Sequence, residues 1–145
     1  MQISYVVLLG LLLIAVYTDM TWTRISNRLI VLGLFIGLIL RIVGEGSIGI
    51  LVFIVNISIP VILLYLLFQM RALGAGDIKL FSMIGGFIST EELLQILGVA
   101  FFVGAIYGLG KIAYQNLYLK RVYKKTTQIH FSPAIVVAYL MVIWR

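Results

Sequence analysis

Residues 48–69 read IGILVFIVNISIPVILLYLLFQ, a stretch without one charged side chain. About 20 apolar residues in a helix cross the hydrocarbon core of a bilayer. Backbone in lipid must be helix or closed barrel, because no water is there to bond an open strand. The run is continuous rather than alternating, so it predicts a helix and not a barrel strand. Pro60 inside it predicts a kink, which a membrane bundle tolerates. Similar runs lie on either side, at about 2–18, 28–43, 77–88, 90–115 and 133–144. The expected fold is therefore an all-α integral membrane protein. It is a single domain over residues 1–145, a bundle of about six transmembrane helices with no internal repeat.

Composition leads to the same class. The 145 residues are 63% hydrophobic and 11% charged, and a soluble domain of that size cannot bury so much apolar surface. There are no cysteines and one histidine, which leaves no thiol nucleophile, disulfide or transition-metal cluster. No cofactor is expected. Residues 1–17 lack a basic leading segment and a small-residue cleavage site, and are read as the first helix rather than a signal peptide. The fourth and sixth runs are short, about 18 Å of helix against a core of about 30 Å. Such helices end in a water-filled recess unless they extend further than the hydropathy indicates.

The net charge of +6 reports orientation here rather than nucleic-acid binding. The loops after the first, third and fifth helices hold Arg24, Arg28, Arg71, Lys79, Lys111, Lys120, Arg121, Lys124 and Lys125. The opposite face holds Arg41 and Arg145. This asymmetry predicts basic loops in the cytosol and the N-terminus outside. Glu45, Glu91 and Glu92 then fall outside, while Asp19 and Asp77, the sole aspartates, both fall on the cytosolic face. The run 120–125 has the charge to meet anionic headgroups, so membrane lipid is one expected partner.

Asp77 lies in GAGDIKL, residues 74–80. One carboxylate at a helix end is ordinarily a solvated boundary residue. Two at one membrane face, brought together, share a proton and titrate as a unit. One then activates water and the other protonates a carbonyl oxygen, as in aspartic proteases. Gly74 and Gly76 supply positive φ and close backbone approach in this reading, although Gly74 as a cap of the third helix explains it equally well. Lys79 is placed to hold a carboxylate charged, to bind a lipid phosphate or simply to snorkel. Asn27 reads as the N-cap of the second helix, Ser89 with Glu92 as a capping box, and Ser132–Pro133 as a helix start. Gly33 with Gly37, and Gly104 with Gly108, suit close helix packing within the chain. Ser82 reads as a helix serine bonded to its own backbone.

The motif Gly74-Ala-Gly-Asp-Ile-Lys-Leu80 resembles the G-x-G-D-x-K-L signature of the type IV prepilin peptidase family, membrane aspartic proteases of the GxGD type. The first loop is similar to that family as well: Asp19, a short basic stretch, then Ile25-Ser26-Asn27, with serine where proline is usual. The segment IHFSPAI resembles the family's IPFxPA, with His130 where proline is common. The resemblance spans the chain. It implies a membrane aspartic endopeptidase with Asp19 and Asp77 as its catalytic pair and Gly74, Gly76, Lys79 and Asn27 in support. The substrates implied are prepilin or pilin-like precursors, whose short basic leaders are removed at the cytosolic face of the inner (plasma) membrane. Many members carry a cysteine-bearing N-terminal region linked to N-methylation. Its absence from this sequence implies the small peptidase-only branch, without methyltransferase activity. Two other readings compete: a small proton- or ion-coupled transporter using the same carboxylates, and a catalytically inactive assembly subunit of the same fold. The placement of both aspartates at one face rather than mid-bilayer, and the absence of an inverted repeat, favour the peptidase.

Overall fold

The computed structural model describes residues 2–22, 25–70, 73–118 and 131–144. They form α1 (Gln2–Trp22), α2 (Asn27–Glu45), α3 (Ser47–Gln69), α4 (Ala75–Phe87), α5 (Thr90–Tyr118) and α6 (Ser132–Ile143). No strand occurs among the described residues. Four segments are long and apolar enough to cross a bilayer: Ile3–Trp22, Asn27–Glu45, Ser47–Gln69 and Thr90–Gly110. Their outward faces leave Val6, Val31, Phe35, Ile62, Leu66 and Phe102 exposed, a surface suited to lipid and not to water. The remaining two helices are short, 13 residues for α4 and 12 for α6.

The shortest apolar runs are also the most enclosed. Every residue of α4 from Leu80 to Phe87 is buried, as befits a helix apolar on all sides. It packs against α1, α2, α3 and α5. Small residues let the backbones meet. A Cβ on Gly85 would lie 2.5 Å from the Asn56 carbonyl oxygen of α3. A Cβ on Gly37 of α2 would lie 3.3 Å from the Gly86 backbone, and one on Gly33 would run into the Met83 thioether. The Gly33/Gly37 pair thus serves packing inside the chain, as expected. Gly104 faces the Phe131 ring, which joins Phe81 and Phe101 in an aromatic cluster with centroids 5.6 to 6.4 Å apart.

The α4–α5 turn lies well below the far end of α3. At 1.5 Å per residue α3 rises about 34 Å and α4 about 20 Å. The Asn56 amide, about 13 Å along α3 from Ser47, donates to the Ile88 carbonyl at 3.0 Å. The whole shortfall of α4 therefore falls at its C-terminal end, and its Asp77 end stays level with the end of α3. A cavity of about 340 Å³ sits over the sunken turn, lined in part by Tyr5, Arg41, Glu45, Ser89 and Glu92. This is the recess that the shortness of the run at 77–88 predicts. Non-helical backbone at this depth needs partners from the protein. Asn56 supplies one to Ile88, and the Arg41 guanidinium supplies a second. Asn56 in turn accepts from the Thr90 hydroxyl at 2.7 Å. Asn56→Leu should therefore cost about 1 to 2 kcal/mol by removing one of the two donors to the buried Ile88 carbonyl. Thermal unfolding in detergent reads this directly, and an unchanged midpoint would refute the role given to the amide.

Several local expectations are corrected. α1 continues through Asp19 to Trp22, so Asp19 stands in the last turn of the helix and does not close it. Ser26, not Asn27, is the N-cap residue of α2, with φ −65° and ψ 126° and no side-chain capping bond. Gly74 and Gly76 do not use positive φ: Gly74 has φ −78°, and among the described residues Gly46 at φ 65° is the glycine that does. There it turns α2 directly into α3. Nor does Gly74 cap α3, whose C-cap is Met70; it is the N-cap residue of α4. The buried Ser82 hydroxyl has no hydrogen-bond partner, contrary to the bond expected with its own backbone. The Ser89–Glu92 capping box forms as expected, with the Ser89 N–H donating to Glu92 Oε2 at 2.9 Å and the Glu92 N–H to Ser89 Oγ at 3.3 Å. Arg24, Arg71, His130 and the basic run 120–125 lie outside the described residues.

Candidate active site

The end of α1 and the starts of α2, α4 and α6 share one end of the bundle. Two contacts fix this arrangement. Gly76 in the first turn of α4 lies against Ile25 of the α1–α2 loop, where an added Cβ would meet the Ile25 side chain at 3.5 Å. The Lys79 ammonium donates to Asn27 Oδ1 at 3.0 Å, joining α4 to α2. Asn27 thus has a tertiary partner in place of the capping role. Lys79 is exposed and its charge sits beside the same loop.

Asp77 is in the first turn of α4 and is half-buried. Its N–H donates to the Gly74 carbonyl at 3.1 Å. Its carboxylate turns back over Gly74: a Cβ there would stand 3.1 Å from Asp77 Oδ2. Glycine at 74 is thus explained by room for a carboxylate rather than by backbone freedom. A negative group in the first turn also faces the positive pole of the helix.

Asp19 is half-buried in the last turn of α1. Its Oδ2 accepts from the Ser132 hydroxyl at 2.6 Å. Ser132 is fully buried in the first turn of α6, and the α6 start has no side-chain capping bond. Sequence reasoning takes this serine only as a helix start. The signal for more was its place in the IHFSPAI segment, which the topology returns to the Asp19 end.

The two carboxylates stand at the same end of the bundle, on helices α1 and α4 that pack against each other. Among the described residues no cluster of three potential ligands is present. The arrangement belongs to a helical membrane protein with two acidic groups at one end of its bundle. The profile of the type IV leader peptidase family matches residues 6–109, and the chain belongs to that family. No curated protein and no solved structure matches it.

Proposed function

We propose that this chain is an aspartic endopeptidase of the membrane, removing short basic leaders from prepilin or pilin-like precursors. The observation that carries the proposal is the contact, at one end of the bundle, between the loop that follows the Asp19 helix end and the GAGDIKL turn, in a chain of the leader peptidase family. One carboxylate takes a proton from water as the oxygen attacks the scissile carbonyl. The other, protonated, gives its proton to the carbonyl oxygen. Collapse of the tetrahedral intermediate breaks the C–N bond, and the proton held by the first carboxylate goes to the departing amine. The excess of basic residues around this end supports a cytosolic location at the inner membrane, with the N-terminus outside. A leader followed by a hydrophobic helix presents its junction at that level, and lipid surrounds both partners.

Co-expression with a prepilin-type precursor tests the proposal: the precursor should shorten by its leader, and an unshifted band would overturn the reading. Gly74→Ala adds a finer check. The new methyl group meets Asp77 Oδ2 at 3.1 Å and must displace it by a few tenths of an ångström. Misplacement of a reacting group is costly, so initial rates should fall roughly 10-fold without loss of the fold. A rate equal to wild type would show that the carboxylate does not work from this position.

A further inference from the structure

We propose that Ser132 is a positioning residue for Asp19, an inference that rests on the peptidase reading. A serine at a helix start ordinarily spends its hydroxyl on a nearby backbone N–H. Here α6 begins without a side-chain cap, and the hydroxyl reaches Asp19 Oδ2, 113 residues away, at 2.6 Å. That is the short length of a hydroxyl bonded to a carboxylate. Ser132 is 0% exposed, so water does not compete for its hydroxyl.

The serine is itself held from behind. Pro133 follows it in the first turn of α6. Phe131, the residue before it, packs over Gly104 and against Phe81 and Phe101. Helices α1 and α6 pack along each other down to Tyr139, whose hydroxyl donates to the Tyr5 carbonyl at 2.8 Å. The Asp19 side chain therefore has a buried donor on one of its two oxygens, which restricts the rotation of the carboxylate plane. A base must present a defined lone pair to the attacking water; a carboxylate free to turn does so only part of the time.

The test uses the full chain in detergent or liposomes with a purified precursor. Ser132→Ala removes the donor, and Ser132→Cys keeps most of the volume but supplies only a weak donor. Both should lower kcat roughly 10- to 100-fold while KM stays within about 2-fold, the signature of an interaction used in the transition state. Thermal midpoints should remain near wild type. If Asp19→Asn is inactive and Ser132→Ala keeps the wild-type kcat, this inference fails and the peptidase reading stands. If Ser132→Cys keeps full rate while Ser132→Ala does not, shape rather than the hydrogen bond matters and the inference also fails. A wild-type chain that cuts no precursor would overturn both.

Discussion

Replacing Asp77 by asparagine is expected to slow leader cleavage by about a thousandfold, and Asp19→Asn by a similar factor. The amide keeps the size and planar shape of the carboxylate. At position 77, in the first turn of α4, asparagine gives up only the favourable meeting of a negative charge with the helix dipole, about 0.3 to 1 kcal/mol. At position 19 the amide oxygen still accepts from Ser132 Oγ, now placed 2.6 Å from Oδ2. Neither variant should disturb the fold. What each loses is the ability to take and return a proton, so the fall in rate isolates that step. Initial rates on a purified precursor, with thermal midpoints as control, give the measurement. If either asparagine variant kept more than about a tenth of the wild-type rate, the paired-carboxylate chemistry would be wrong.

Gly85→Val should give the largest loss of stability, about 3 kcal/mol or more. Even the first carbon added at this position stands 2.5 Å from the Asn56 carbonyl oxygen and 3.2 Å from Leu93 Cδ2. The nearer obstacle is main chain in the middle of α3, which no rotamer change moves aside. Gly98→Ala is the matched control, since a Cβ there meets nothing within 4 Å. That variant should gain roughly 0.5 to 1 kcal/mol from improved helix propensity. Unfolding both in one detergent separates crowding from propensity. A Gly85→Val protein that melts with the wild type would mean that α3 and α4 do not pack as described.

The helices were legible in the sequence because lipid leaves the backbone few alternatives. The runs at 48–69 and 90–115 lie within α3 and α5 almost to the residue at their starts. That both aspartates lie at one end was legible because counting crossings returns them there. What was not legible depends on partners distant in the chain. Asn27 looks like a cap until Lys79, 52 residues on, claims its amide oxygen. Gly74 looks like a backbone hinge, whereas its backbone is ordinary and its missing side chain makes space for Asp77. Ser132 looks like local punctuation, and its bond to α1 depends on how α6 docks. The depth of the α4–α5 turn was foreshadowed by the short run at 77–88, but the end at which the shortfall lies depends on where Asn56 meets Ile88.

The glycine contacts along α4 have a mechanical consequence. With main chain touching main chain at Gly85, and Gly37 set against Gly86, α4 has no slack to slide or rotate between α2 and α3. On the peptidase reading, Asp77 is therefore carried on a closely packed helix and should hold its place while substrate enters. On that reading, widening to admit a polypeptide strand is expected from the α1 and α6 side, where the bond between Asp19 and Ser132 ties the two helix ends to each other.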